Sequence, residues 1–312
     1  MTAEELPAWF FRVLAFVMGA TWGSFANVVI YRWPRELSVV RPASHCPHCD
    51  KPVRPYDNLP ILAWFWLRGK CRDCKAPIAP RYAFVEALYA VASLAVVELL
   101  LRTQGELAFP VFLAVFFVRF AFLWGLLTAS FIDLDTMLIP DFISLGGTAL
   151  GLVASVLLPG IGWRGSLGGA AAGFGIPFAF YFVWSRFLKR EGMGLGDAKL
   201  LAMVGALLGP HAVLFSLCAG SMQGIIATVV SKVTGWQLAP DIDDEDDDEV
   251  EAGAPRADAV EPAPALPTEP EAAPPLMRTR IPFGPFLALG AIEYLLGGDR
   301  LMQAYLTFLR GE

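Results

Sequence analysis

Residues 107–135 read LAFPVFLAVFFVRFAFLWGLLTASFIDLD, and the reading of this stretch decides the fold. The 26 residues from 107 to 132 carry a single charge, Arg119, whereas about 20 apolar residues suffice to cross roughly 30 Å of hydrocarbon. A run of this length is a transmembrane helix, and it closes on two ionisable residues, Asp133 and Asp135. The pattern recurs at 8–30, 83–101, 142–160, 163–188, 211–231 and 281–297, with a shorter run at 198–209. Composition agrees: 55% of residues are apolar and 17% are charged, and the mean hydropathy is +0.52, far from a soluble globular average. The expectation is an all-α polytopic membrane protein with about eight transmembrane helices.

The first run lacks a basic n-region and a small-residue cleavage site, and YRWPR (31–35) follows it directly, so it reads as a retained helix rather than a secretory signal. No repeat of fixed period is visible, which disfavours solenoids and duplicated halves.

Segment 31–82 holds ten basic residues against four acidic ones, a net charge of +6, and the positive-inside bias places it in the cytoplasm. Counting crossings from there puts the loops near 133–141, 189–197 and 233–280 on the same side. Stretch 239–277 carries thirteen acidic residues against Arg256 in an Ala- and Pro-rich background. Such a composition cannot bury enough apolar surface to fold by itself and reads as a solvated, disordered linker. The alternative is an electrostatic lure for a basic partner segment.

Four of the five cysteines are paired as CPHC (Cys46, Cys49) and CRDC (Cys71, Cys74), with 21 residues between the pairs. Each pair can offer two thiolates to adjacent corners of a tetrahedron, and together they predict one closed, structural Zn²⁺ site. A reducing compartment argues against disulfides. His45 and His48 flank the first pair and read as exposed neighbours, because four thiolates already fill the ion. Cys218 stands alone in an apolar run and reads as a small core residue.

Ionisable groups at membrane depth are functional suspects. Asp133 ends one run, and Asp197, in EGMGLGDAKLL (191–201), opens another. Two carboxyl groups in a partly desolvated site can share a proton, one serving as general base on water and the other as general acid. Gly194 and Gly196 would let the backbone approach a substrate strand; equally, the segment could be only a turn with an N-cap aspartate. Asp135 lies nearer the cytosol than Asp133, and Asp141 follows Pro140 as an N-cap would, so depth favours Asp133. Arg119, Glu86 and Glu98 read as paired or snorkelling residues. Gly169 and Gly173, at small-xxx-small spacing, read as a close helix contact.

Taken together, GSFANVVIYRWP, the CPHC and CRDC pairs, YDNLPILAW, RYAFVEAL, IDLDTMLIP, EGMGLGDAKLL and IPFGPFLALG resemble the bacterial type IV prepilin peptidases, membrane aspartic proteases of the GxGD kind. The resemblance spans almost the whole chain. It implies that Asp133 and Asp197 are the catalytic pair, Gly194 and Gly196 their loop, and the leaders of type IV prepilins or pseudopilins the substrates. It also implies an inner-membrane location with the active site on the cytoplasmic face, and N-methylation of the new amino terminus with S-adenosylmethionine as methyl donor. The cofactor region would lie in 31–82, with Gly69 and Lys70 of RGK as candidates; the same two residues fit a zinc-knuckle turn and an exposed lysine. No glycine fingerprint supports methylation independently. Ala26 and Ala83 depart from the residues common in the family.

The organisation expected is therefore a first transmembrane helix in 1–30, a cytoplasmic zinc-binding domain in 31–82, a membrane protease core in 83–232, the acidic loop in 233–280, and a last transmembrane helix and tail in 281–312. Membrane lipid and pilin-like substrates are the expected partners, and nucleic acid is not. A transporter or proton relay using Asp133 and Asp197, or a non-catalytic assembly protein, are the competing classes.

Overall fold

The computed structural model describes residues 2–188, 194–234, 282–298 and 307. Gly192, the acidic stretch 239–277 and most of the tail lie outside them. The described residues form an all-helical bundle: α1 (Ala8–Arg32), α2 (Leu62–Trp66), α3 (Arg81–Gln104), α4 (Phe109–Thr136), α5 (Asp141–Leu157), α6 (Gly162–Leu188), α7 (Leu195–Leu208), α8 (Pro210–Thr234) and α9 (Gly284–Glu293). Only isolated bridges, and no β-strands, occur among them.

All eight apolar runs are helices in this bundle. Five are long and apolar enough to cross a membrane, those of α1, α3, α4, α6 and α8, while Asp141–Leu157 and Gly284–Gly298 are shorter apolar helices. The short run is α7, whose 14 residues span only about 21 Å at 1.5 Å per residue. Gly209, at φ +89°, ends it, and Pro210 opens α8, a position where the missing N–H costs nothing.

α7 is the most enclosed element, packed against α5, α6, α8 and α9, with Leu200 through Ala206 all buried. Its approach to α6 depends on the absence of side chains. A Cβ on Gly169 would stand 2.1 Å from the Gly205 carbonyl oxygen, and one on Gly173 would stand 2.1 Å from that of Leu201. The close contact expected of Gly169 and Gly173 is present. α1 lies along α3, and α4 bridges that pair to α9. Aromatic and aliphatic side chains such as Phe11, Phe112, Leu123, Leu201 and Leu287 fill the centre.

Glu98 is engaged by Arg12 of α1 at 3.0 Å and by Arg102, one helical turn on. Glu86 accepts the Ile61 backbone N–H at 2.6 Å. Both are therefore paired, as expected, and Arg119 is half-buried on α4. The chain between α1 and α3 forms a lobe around the four cysteines at the end of the bundle where α4 meets α5.

Candidate active site

Asp133 lies in the last turn of α4. That turn closes when Met137 takes the left-handed conformation and donates its N–H to the Asp133 carbonyl at 2.8 Å. The Asp133 side chain is 5% exposed, and its Oδ2 accepts the Gly284 backbone N–H at 3.1 Å. Asp197 is the third residue of α7 and 7% exposed. The Gly194 backbone lies beside the Asp197 carboxyl group, which is within range of the Asp133 charge. The ends of α4 and α7 thus bring two carboxyl groups into one largely desolvated site, with the start of α9 as a third wall.

Ile139 closes the floor. A Cβ on Gly196 would stand 3.2 Å from the Ile139 Cβ, and one on Gly284 would stand 3.1 Å from its Cδ1 and 2.6 Å from Asp133 Oδ2. Gly194 caps α7 in an extended conformation, and a Cβ there would stand 3.5 Å from Asp197 Oδ2. Gly194, Gly196 and Gly284 therefore let Ile139 and the two carboxyl groups pack directly against the backbone. Such a pair, sharing a proton, can activate water and protonate a leaving amine.

The rival aspartates are committed elsewhere. Asp135 is bound by Arg81 of α3 at 2.6 Å, and Asp141 by Lys199 of α7 at 2.7 and 2.9 Å, both in partly exposed ion pairs. Lys199 thereby ties α7 to α5. Gly284 and Ile139 are site residues that sequence reasoning missed. The only signal was their place in IPFGPFLALG and IDLDTMLIP, which suggests no contact with Asp133.

The Sγ atoms of Cys46, Cys49, Cys71 and Cys74 all lie within 4.8 Å of one another, and those of Cys46 and Cys74 are 3.7 Å apart. A tetrahedral ion with bonds of about 2.3 Å to sulfur requires sulfur atoms about 3.8 Å apart, so the set fits zinc. The two knuckles are one turn built twice, 25 residues apart. Cys46 N–H donates to Lys51 O and Cys71 N–H to Ala76 O, Asp50 N–H to Cys46 O and Lys75 N–H to Cys71 O, Val53 N–H to Ser44 O and Ile78 N–H to Gly69 O. Asp50 and Lys75 take equivalent left-handed conformations, φ 54° and 62°. Backbone amides of Cys74 and Asp73 turn toward the Cys71 sulfur and lower its pKa to about 7, favouring thiolate.

Gly69 and Lys70 both belong to the second knuckle. Gly69 has φ +63°, and a Cβ on it would stand 3.0 Å from the Trp64 ring; Lys70 bridges to Pro77. His45 and His48 are exposed and stand outside the sulfur cluster. Asp57 is held by Arg72 through a bidentate pair, with Nε to Oδ2 at 2.6 Å, and this contact holds the Asp57 carboxyl below its usual range.

The chain matches two family models, the bacterial peptidase A24 N-terminal domain over residues 17–99 and the type IV leader peptidase family over residues 120–229. A protein of Aeromonas hydrophila named prepilin leader peptidase/N-methyltransferase is 32% identical over 98% of this chain and 97% of its own. One of the same name from Myxococcus xanthus strain DK1622 is 33% identical over 100% of this chain and 99% of its own. A type 4 prepilin-like proteins leader peptide-processing enzyme of Escherichia coli is 33% identical over 70% of this chain and 85% of its own. No solved structure matches the chain. With relatives this similar along its whole length, the chain belongs to the type IV leader peptidase family.

Proposed function

We propose that the protein removes the leader from type IV prepilins or pseudopilins by aspartyl catalysis at the cytoplasmic face of the inner membrane. The observation that carries this reading is the meeting of Asp133 and Asp197, each buried, at the ends of two helices. One carboxylate takes a proton from water as it attacks the scissile carbonyl, and the other protonates the departing amine, so the peptide C–N bond breaks without a covalent intermediate. Gly194, Gly196 and Gly284 keep side chains away from the two carboxyl groups, and the Gly284 amide holds Asp133 in place. An apolar groove between α3, α4 and α9, walled by Leu88, Phe131, Leu134, Pro285 and Leu289, runs beside the site and suits lateral entry of the pilin's apolar helix. The cytoplasmic side rests on the +6 charge of 31–82.

The names of the relatives extend the proposal to N-methylation of the new amino terminus with S-adenosylmethionine. The four cysteines would hold zinc to stabilise the 31–82 lobe, and Gly69 and Lys70, inside a knuckle, remain candidates for contact with the methyl donor. Purified protein in lipid should cleave a prepilin leader, and Asp133→Asn or Asp197→Asn should lower the rate by about 10²–10⁴-fold. Processing at the unsubstituted rate by either variant would overturn the dyad. Adding S-adenosylmethionine should raise the product mass by one methyl group; an unchanged mass removes the second activity.

A further inference from the structure

The five-residue helix α2 has an inverted build. Ala63 is 7% exposed, and Trp64 lays its ring against Gly69 while its Nε1–H donates to Ile78 O at 3.1 Å. The lobe's own side of α2 is thereby filled. Leu62, Phe65 and Trp66, at i, i+3 and i+4, share the opposite face and are 61%, 63% and 50% exposed. A contiguous bare apolar face on an otherwise strongly basic lobe marks a surface that meets something apolar.

Its depth identifies what that is. Ile61, immediately before α2 and held at φ +64°, donates its N–H to Glu86 Oε2 at 2.6 Å. Glu86 is the sixth residue of α3, a membrane-crossing helix that begins at Arg81, so it lies about 7–8 Å along the helix axis from that end. Phe84, two residues nearer the end, is itself exposed on the outside of the bundle. α2 is therefore tethered at the level where interfacial helices lie, about 5–10 Å into the headgroup and acyl boundary.

The charge around it is complementary to a lipid surface. Of the four acidic residues in 31–82, Asp57 is neutralised by Arg72 and Asp73 by Lys51 and Arg54. Arg68 and Lys70, directly after α2, are exposed and add to a cationic excess that attracts anionic headgroups.

We infer that α2 is an interfacial membrane anchor, with Leu62, Phe65 and Trp66 inserted into the bilayer leaflet on the four-cysteine side. The anchor fixes the lobe against the bundle at the end that carries Arg81, Asp135 and Asp133. It requires only that the bundle spans a bilayer, and it stands whether or not the proposed peptidase reading does.

The test uses the full-length protein in nanodiscs of phosphatidylethanolamine and phosphatidylglycerol. Photoreactive p-benzoylphenylalanine is placed singly at positions 62, 65, 84 and 48. Retained bound metal in each variant establishes that the lobe is folded. Mass spectrometry of the irradiated peptides should find lipid adducts at 62 and 65 in yields close to those at 84, and at least tenfold above those at 48. Yields at 62 and 65 no greater than at 48 would overturn the anchor, as would adducts there to protein alone, whether from the same chain or a second copy. A leader-cleavage assay on the same samples reports separately on the peptidase reading.

Discussion

The backbone N–H of Gly284 donates to Oδ2 of Asp133 at 3.1 Å, so the first residue of α9 holds a carboxyl group on α4 from 151 positions away. A Cβ on Gly284 would stand 2.6 Å from that oxygen and 3.1 Å from Ile139. Gly284→Ala must therefore push the carboxyl group aside, and a misplacement of about 1 Å can cost on the order of 10²-fold in rate. The expected outcome is a 10–100-fold fall in single-turnover leader cleavage with an unchanged yield of inserted protein. Cleavage at the unsubstituted rate would mean that the amide does not position Asp133.

Asp135 and Asp141 offer the contrasting case. Their partners, Arg81 and Lys199, hold them in partly exposed ion pairs at 2.6 and 2.7 Å, and pairs of this kind contribute about 0.2–1 kcal/mol. Asp135→Ala and Asp141→Ala should each lower stability by no more than about 1 kcal/mol and leave cleavage within a few-fold of the original. Thermal unfolding in detergent and the leader assay check both values. A loss as large as that expected for Asp133→Asn would return these residues to the catalytic list.

The sequence displays some of this architecture because the signals are local, and hides the rest because the contacts are not. Runs such as 107–132 announce helices by length and apolarity, and the C-x2-C pairs announce a metal by spacing. Asp133 and Asp197 stand out because a carboxyl group bordering an apolar run is costly. Gly284 gives no such signal, since its part in the site is a through-space amide contact that exists only once α9 packs on α4. Nothing local in LAWFW (62–66) tells which of its apolar residues face outward, and only the folded lobe leaves Leu62, Phe65 and Trp66 bare. The pairing of Lys199 with Asp141 is equally invisible, because it depends on α7 lying against α5. The duplicated knuckle escapes a search for repeats because the two copies share little beyond C-x-x-C-x-x-P.

The seam between α6 and α7 should be intolerant of side chains. Gly169 and Gly205 approach so closely that a Cβ on either would stand within 2.1 Å of the other's carbonyl oxygen, and Gly173 meets Leu201 in the same way. Gly173→Val must force the helices apart, at a cost of about 1–3 kcal/mol or more, and would shift Asp197 with α7. A lowered melting temperature together with reduced cleavage is expected. Gly175→Ala, where a Cβ meets nothing within 4 Å, should match the unsubstituted protein in both measurements. Equal behaviour of the two variants would argue against the close seam.

Metal removal should dismantle the lobe and spare the bundle. Between residues 33 and 80, Ala63 is the only buried residue, so almost no apolar core exists to offset the entropy of ordering some fifty residues. A four-thiolate zinc site supplies about 10–16 kcal/mol in small metal-dependent folds, and the matching turns make both knuckles necessary for it. Chelation, Cys46→Ser and Cys71→Ser should each release one zinc per chain and open 33–80 to limited proteolysis, while α3 to α9 remain resistant. Cys218→Ser, on α8 and outside the cluster, should retain full metal. Elemental analysis of the purified protein gives the stoichiometry, and peptide mapping locates the cuts. A lobe that resists protease after its metal is gone would show that its fold rests on something other than the four sulfurs.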